Sequence, residues 1–256
     1  MELPRNAFKH AILAGQTQIG LWSNLASHLT VEIIAGSGFD WILLDTEHAP
    51  NELQMVYSQL QAAKAGGSAH PVVRVPWNDM VVLKRYLDIG VQSVLIPMIE
   101  TQDEAKAAVA ATRYPPKGVR GFAGAPRASG FGRIKNYANI CESEICVLLQ
   151  VETRKGLDNL EKIAGVEGVD GVFIGPGDLS AALGYLGQPT HPDVVKVIDD
   201  AMARIKACGK ASGFLTPDEK LARHYVDMGV TFVAVGSDLG ILARQSEALA
   251  ARFKTA

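Results

Sequence analysis

Side chains able to do chemistry follow several short apolar segments of the chain. His48 comes shortly after WILLD, and Arg74 lies within VRVPW. Glu152 falls in LQVET, and Asp178 follows a glycine-containing turn in GPGDLS. Two carboxylates without a cysteine or a histidine cluster favour a hard divalent cation, Mg²⁺ or Mn²⁺ with Co²⁺ tolerated. Beside such a cation, a histidine base and an arginine suit proton removal next to a carbonyl group.

The spacing within two of these segments indicates how the groups are presented. Gln150 and Glu152 are two positions apart, so in a strand both side chains project from one face, where polar groups are costly unless satisfied. If GPGDLS begins a helix, the backbone amides of Gly177 and Asp178 are available to a small carboxylate. We therefore expect Glu152 and Asp178 to hold the metal, with Gly177 and Asp178 binding an anionic substrate.

Each candidate also has a purely structural interpretation. His48 alone in a loop is typical of a surface histidine, and Asp178 could cap the helix that follows it. Arg74 could be an ion-pair partner of Asp45 or Glu47. A shared site is favoured because all of these polar groups occur at the ends of otherwise aliphatic segments.

Eight short apolar or β-branched segments alternate with amphipathic stretches, and each is predicted to be a strand. WILLD, SVLIP and FVAVG are almost continuously apolar, which is typical of parallel strands covered on both faces. The predicted strands are Gln18–Trp22, Trp41–Asp45, Pro71–Val75, Ser93–Pro97, Cys146–Glu152, Gly171–Gly175, Lys210–Leu215 and Phe232–Gly236.

Eight alternating strands and helices predict an α/β fold of the (β/α)8 TIM-barrel type, in which active-site groups lie at the carboxyl ends of the strands. A doubly wound open sheet is the alternative, but it usually has fewer strands, and no glycine-rich phosphate turn follows the first segment. The long Gly- and Arg-rich stretch before the fifth strand is expected to lie over the carboxyl-terminal mouth of the barrel.

Composition limits the classes of function. The chain has 256 residues, is 48% hydrophobic and carries a formal net charge of −2, which gives no argument for a nucleic-acid partner. No apolar run is long enough to span a membrane, and the N-terminus lacks the features of a signal peptide. Three cysteines without a CxxC pair fit a reducing compartment. We expect one domain over residues 1–256 and a cytoplasmic location.

Six motifs, in this order, resemble the HpcH/HpaI family of class II pyruvate aldolases. They are FDWILLDTEHAPN, VVRVPWND, LDIGVQSVLIPM, LLQVET, GVFIGPGDLS and FVAVGSD. The resemblance implies a (β/α)8 barrel with one divalent ion per subunit. It implies cleavage of 4-hydroxy-2-oxo acids to pyruvate and an aldehyde through a pyruvate enolate held at the metal, as in aromatic or sugar-acid catabolism.

The resemblance also implies roles for individual residues. Glu152 and Asp178 hold the metal, while Gln150 and the Gly177–Asp178 segment bind pyruvate. His48 is the acid–base group, and Arg74 stabilises the enolate. Asp88, in LDIGVQ, raises the basicity of the histidine. The family forms trimers or hexamers, so a homotrimer or homohexamer is expected, with a C-terminal helix over about residues 239–254 exchanged between subunits.

Other positions are open between a role in the site and ordinary packing. Gly177 stands where relatives often have alanine or serine, which is expected to loosen the pocket for the pyruvate methyl group. Trp22, Phe214 and Leu215, near strand ends, are candidates to line the pocket or to pack in the barrel. Arg120 and Arg127 are candidates to bind the distal part of the substrate, or structural arginines of the long loop.

Three other functions compete with a metal-dependent aldolase. A Schiff-base aldolase needs a lysine inside the barrel, whereas Lys210 is at the wrong end of its strand and Lys155 lies beyond Glu152. A lyase acting on acyl-CoA or phosphoenolpyruvate is a second alternative. A non-catalytic barrel that senses a small carboxylate would not need His48, Glu152 and Asp178 together.

Overall fold

Eight parallel strands form one closed barrel in sequence order, β1 to β8, in a computed structural model that describes residues 1–254. The prediction of a (β/α)8 barrel is confirmed, and each predicted strand is present within two residues of its expected bounds. The strands are β1 (Gln18–Ser23), β2 (Trp41–Asp45), β3 (His70–Arg74), β4 (Ser93–Ile96), β5 (Cys146–Val151), β6 (Gly171–Ile174), β7 (Ala211–Leu215) and β8 (Phe232–Ser237).

Helices cover the outside of the barrel, with an additional helix before β1. They are α1 (Ala7–Leu13), α2 (His28–Ala35), α3 (Leu53–Gly66), α4 (Met80–Asp88), α5 (Gln102–Thr112), α6 (Tyr137–Ile140), α7 (Arg154–Asp158), α8 (Leu160–Ala164), α9 (Pro176–Ala182), α10 (Pro192–Ala207), α11 (Glu219–Asp227) and α12 (Asp238–Ala251).

Local sequence signals account for where several helices begin. At α5, Thr101 and Glu104 form a capping box, in which each side chain accepts a hydrogen bond from the other residue's backbone. At α11, the helix starts at Glu219, where the side chain of Asp218 accepts a hydrogen bond from the backbone N–H of Leu221.

Aromatic side chains fill the lumen of the barrel. Trp41 and Phe232 lie there with ring centroids 6.0 Å apart, and Phe8 of α1 closes the amino end against both. Gly20 leaves the space that Trp41 occupies, since a Cβ at Gly20 would overlap the indole ring. Because these side chains close the amino end of the barrel, a functional site is expected at its carboxyl end.

The long Gly- and Arg-rich stretch lies at the amino end of the barrel, not over the carboxyl-terminal mouth as predicted. It follows α5, which has already returned the chain to the amino end, so it is a helix-to-strand connection leading into β5. Arg120 is fully buried and donates from Nη2 to Oδ1 of Asp88 at 2.8 Å. Arg127 donates from Nη1 to the carbonyl oxygen of Ile89. Within one chain, therefore, neither arginine lies at the mouth to bind substrate.

None of the helices within residues 1–254 is long and apolar enough to cross a membrane.

Candidate active site

A cavity of about 530 Å³ opens at the carboxyl end of the barrel and gathers most of the predicted site residues. Arg74 and Gln150 reach it from strands, whereas His48 and Asp178 reach it from the segments that follow β2 and β6. His48 and Asp178 are exposed, while Gln150 and Glu152 are buried. The predicted residues that line this cavity are Trp22, His48, Arg74, Gln150, Glu152, Gly177, Asp178 and Leu215.

Glu152 is only 2% exposed, and both its carboxylate oxygens have fixed partners. Oε1 accepts a hydrogen bond from the backbone N–H of Met98 at 2.9 Å, and Oε2 accepts one from Nε2 of Gln150 at 2.7 Å. The backbone of Gly175 lies close to this carboxylate, so that a Cβ at this position would be only 2.5 Å from Oε2. The carboxylate is thereby held in one orientation before any ligand binds.

Burial and nearby negative charge raise the pKa of Glu152 to about 7, although the hydrogen bonds from Met98 and Gln150 oppose the rise. The charges that contribute belong to Glu47 and Asp178, which places all three carboxylates in one electrostatic neighbourhood. A bound cation would relieve this repulsion and the cost of burial together.

Arg74 is held rigidly by the last residue of β2. Asp45, whose side chain is fully buried, accepts from Nε of Arg74 at 2.9 Å and from Nη2 at 2.7 Å. The two residues face each other directly in the β2–β3 register, which makes this side-on pair possible. Burial alone would raise the pKa of Asp45, but the hydrogen bonds and charge of Arg74 hold it below its usual value.

Glu47 brings a further carboxylate to the arginine. Its Oε2 lies 2.9 Å from Nη1 of Arg74 without the alignment of a hydrogen bond. Burial, with the charges of Asp45 and Asp178, raises the pKa of Glu47 to about 6, while Arg74 opposes the rise. Glu47 therefore keeps a proton up to a higher pH than an exposed glutamate does, and it lies next to the exposed His48.

The donor set fits a hard divalent cation. Glu152 and Asp178 supply carboxylate oxygens, and the Oε1 atom of Gln150 is buried without a hydrogen-bond partner. Two protein carboxylates would leave coordination positions for substrate and water, as a hard divalent cation accepts. Within residues 1–254, no group of three or more His, Cys, Asp or Glu side chains is arranged to hold a metal ion.

Two predicted residues lie elsewhere. Phe214 is 1% exposed and packs against Tyr225 of α11, with ring centroids 4.3 Å apart, so its assignment to the pocket is wrong. Alternate side chains of a strand point to opposite faces, and only Leu215 of this pair faces the cavity. Asp88 ends α4 at the amino end of the barrel, where it binds Arg120, so one chain does not bring it to His48.

The two lysines of the Schiff-base alternative also lie outside the cavity. Lys210 donates to the carbonyl oxygen of Val169 at the amino end, and the exposed Lys155 donates to Glu100. Among the described residues, none of those that line the cavity is a lysine. A covalent imine therefore has no candidate in this site.

Asp45 and Glu47 were named from the sequence as possible ion-pair partners of Arg74, and both do pair with it, whereas Asn24 was not selected. Asn24 donates from Nδ2 to Oδ2 of Asp45 at 3.0 Å. Asp45 carried a visible signal, since a charged residue ends the otherwise apolar WILLD. Asn24 carried none, because its role depends on the packing of β1 beside β2.

Comparison with known proteins gives the same assignment as the motifs. The HpcH/HpaI aldolase/citrate lyase family model matches residues 18–244. A pyruvate aldolase of Rhizobium etli is 57% identical over 255 residues, covering 100% of both chains. A 4-hydroxy-2-oxo-heptane-1,7-dioate aldolase of Salmonella heidelberg is 54% identical over 250 residues, covering 97% of this chain and 95% of that protein.

Solved structures extend the likeness to the fold. An HpcH/HpaI aldolase/citrate lyase family protein of Burkholderia cenocepacia superposes with a TM-score of 0.94 at 38% identity, covering 98% of this chain and 100% of the other. The HpcH/HpaI aldolase of Desulfitobacterium hafniense gives a TM-score of 0.87 at 28% identity, covering 97% and 96%. The chain therefore belongs to the HpcH/HpaI aldolase/citrate lyase family and is a carbon–carbon lyase of the aldolase type.

Proposed function

We propose that this protein reversibly cleaves 4-hydroxy-2-oxo acids to pyruvate and an aldehyde. The observation that carries the proposal is that Arg74, Glu152, Asp178 and His48 line one cavity, with Arg74 locked in place by Asp45. The names of the relatives in Rhizobium etli and Salmonella heidelberg agree with this reaction class.

Each side chain has a defined task in the reaction. A base takes the proton of the 4-hydroxyl group, the C3–C4 bond breaks, and its electron pair passes to the 2-oxo group as an enolate. His48 is the proposed base, and Glu47 is the next candidate because it lies beside His48 and burial raises its pKa to about 6. Proton return to C3 completes pyruvate, so atoms and electrons balance without an oxidant.

Arg74 stabilises the enolate oxygen through the part of its guanidinium group that Asp45 does not occupy. Asp45 takes the Nε and one Nη2 hydrogen, and the guanidinium has five N–H donors in all, so donors are left for substrate. Because the group is already oriented, little reorganisation is needed as negative charge develops. The backbone amides of Gly177 and Asp178, in the first turn of α9, bind the substrate carboxylate.

Glu152 and Asp178 would hold a divalent cation, Mg²⁺, Mn²⁺ or Co²⁺, which polarises the 2-oxo group when bound. Gln150 fixes Glu152 through Nε2 and lines the same cavity, which supports its proposed contact to substrate.

We also propose a homo-oligomer, trimeric or hexameric, in which a neighbour covers α12. Of the residues of α12, only Asp238 is buried, and Leu239, Ile241, Leu242 and Leu249 are all at least half exposed. Contiguous apolar surface of this kind marks an interface. Since one chain leaves Asp88 far from His48, the proposed action of Asp88 on the histidine would take place between subunits. The free cysteines Cys141, Cys146 and Cys208 support a cytoplasmic location.

Exchange of the pyruvate methyl protons with D₂O tests the function without knowledge of the aldehyde. With Mg²⁺ or Mn²⁺ present, the methyl NMR signal should fade at a rate proportional to enzyme, and Arg74→Ala should suppress the loss. Binding of pyruvate without exchange would support the carboxylate-sensor alternative instead. Exchange that survives exhaustive chelation would contradict the metal-dependent reaction.

A further inference from the structure

A continuous set of hydrogen bonds joins the first residue of the C-terminal helix to the arginine of the site. Asp238, which begins α12, is 4% exposed and therefore buried among its partners. Its Oδ1 accepts from the backbone N–H of Asn24 at 2.8 Å, and its Oδ2 accepts from Oγ of Ser23 at 3.0 Å. These contacts fix the residues at the end of β1 onto the end of β8.

Asn24 continues the connection toward the cavity. Its backbone is held by Asp238, while its side-chain Nδ2 donates to Oδ2 of Asp45 at 3.0 Å. The same oxygen, Oδ2, accepts from Nη2 of Arg74 at 2.7 Å. A shift of Asn24 therefore acts on the carboxylate oxygen that orients the guanidinium group.

Asp45 connects Arg74 with the segment that carries the proposed base. Its Oδ1 accepts from Nε of Arg74 and also from the backbone N–H groups of Glu47, at 3.1 Å, and His48, at 3.4 Å. A rotation of this carboxylate would move the arginine and loosen the turn that carries His48 at the same time. A fully buried carboxylate with this many donors has few alternative orientations.

We propose that Asp238 and Asn24 are positioning residues for the aldol reaction, acting through Asp45 to hold Arg74 in the orientation that stabilises the enolate. This inference rests on the proposed function, because it assigns Arg74 the enolate as its target. Under this proposal, the position of the first residue of α12 affects the orientation of Arg74. The exposed apolar residues of α12 do not account for such a role.

Asn24→Ala is the sharpest variant, because it removes only the Nδ2 donor and leaves the backbone bond to Asp238 in place. Displacement of a group that acts on the transition state lowers turnover more than ground-state binding. We expect the rate of pyruvate methyl exchange at saturation to fall by about 10- to 100-fold, with pyruvate and Mn²⁺ affinities nearly unchanged. Asp238→Asn should act in the same direction.

Ser27→Ala is the matched control, since Ser27 lies in the same turn but only caps α2 by accepting from the N–H of Thr30. It should lower the thermal unfolding temperature slightly and leave exchange at the wild-type rate. Equal loss of exchange in Ser27→Ala and Asn24→Ala would mean that general loosening of the turn is responsible, and the proposal would be wrong.

A double-mutant cycle tests whether Asn24 acts through the arginine. In an Arg74→Lys background, the side-on pair with Asp45 no longer exists, so adding Asn24→Ala should change exchange by less than about twofold. Independent, multiplying effects of the two substitutions would overturn the proposal.

A readout without turnover separates this inference from the proposed function. The Nε–H signal of Arg74 in ¹⁵N–¹H NMR spectra reports its bond to Asp45, and it should shift or broaden in Asn24→Ala but not in Ser27→Ala. If wild-type protein shows no exchange at all, the proposed function fails, and this signal still decides whether the connection exists. An unchanged signal in Asn24→Ala would overturn the inference.

Discussion

Gly175 and Gly177 are two positions apart, yet a side chain at each would meet opposite surroundings. A Cβ at Gly175 would lie 2.5 Å from Oε2 of Glu152, whereas a Cβ at Gly177 would meet no atom within 4 Å. Gly175→Ala should therefore displace the proposed metal ligand and weaken Mn²⁺ binding by about tenfold or more, as loss of an aligned ligand partner does.

Gly177→Ala is the matched comparison. Alanine replaces glycine in the first turn of α9 without a clash, so we expect equal or higher thermal stability and unchanged Mn²⁺ affinity. The added methyl group narrows the cavity and should reduce exchange of 2-oxobutanoate more than that of pyruvate. Calorimetric Mn²⁺ titrations and NMR exchange measure both effects, and equal Mn²⁺ affinities in the two variants would contradict the prediction.

The raised pKa of Glu152 predicts a pH dependence of metal binding. In the metal-free protein this pKa is about 7, so a cation must compete with a proton below neutral pH. The apparent affinity for Mn²⁺ should rise with pH up to about 7 and level off above it. Calorimetry at pH 6 in two buffers of different ionisation enthalpy should detect proton release, and its absence would show that Glu152 is already ionised.

The same raised pKa predicts how the stability of the metal-free protein changes with pH. The folded-state pKa lies above the ordinary glutamate pKa of 4.5, so the native state binds this proton more tightly than the unfolded chain does. The resulting contribution to stability is full below pH 4.5 and is lost as the pH rises through about 7. Glu152→Gln should remove that loss, which thermal unfolding at pH 5 and pH 8 measures.

At the scale of elements, β7 separates a residue of the site from a residue of the core. Leu215 faces the cavity, and its neighbour Phe214 is buried against α11. Phe214→Ala should lower the free energy of unfolding by about 3–5 kcal/mol, as expected for a buried aromatic side chain, with little change in substrate affinity where the protein is folded.

Leu215→Ala should show the reverse pattern, because Leu215 is only partly buried and lines the cavity. We expect a smaller loss of stability and a clear change in KM for the 4-hydroxy-2-oxo acid. Denaturant unfolding and steady-state kinetics of the two variants provide the comparison. A larger stability loss in Leu215→Ala than in Phe214→Ala would contradict the orientation of β7.

At the scale of the whole molecule, the location of Asp88 can be tested by subunit mixing. His48→Ala and Asp88→Asn should each lower activity. An oligomer made of only one of these variants has no site in which both residues are intact. If Asp88 acts on His48 of a neighbouring subunit, co-refolding the two variants creates some sites with both residues intact. Recovered activity in the mixture is the expected result, and mixing that leaves activity at the level of the separate variants would exclude this role.

Sequence patterns are sufficient to predict the architecture and most of the residues that line the cavity. Eight apolar segments with a regular alternation of helices left few arrangements other than a closed parallel barrel. In such a barrel the strand ends must converge, so His48, Arg74, Glu152 and Asp178 could be brought together from their order alone. The type of each residue and its position relative to the nearest strand are sufficient for this prediction, and no knowledge of long-range contacts is needed.

Features that depend on the direction of the chain, or on residues distant in sequence, become visible only in the folded protein. The Arg- and Gly-rich stretch lies at the amino end because α5, which precedes it, reverses the chain. Phe214 and Leu215 were indistinguishable in sequence, and only the barrel shows which of them faces inward. The hydrogen bonds of Asp45 with Arg74 and Asn24 join residues 29 and 21 positions apart. No local pattern records such pairs, because their formation depends on which strands lie side by side.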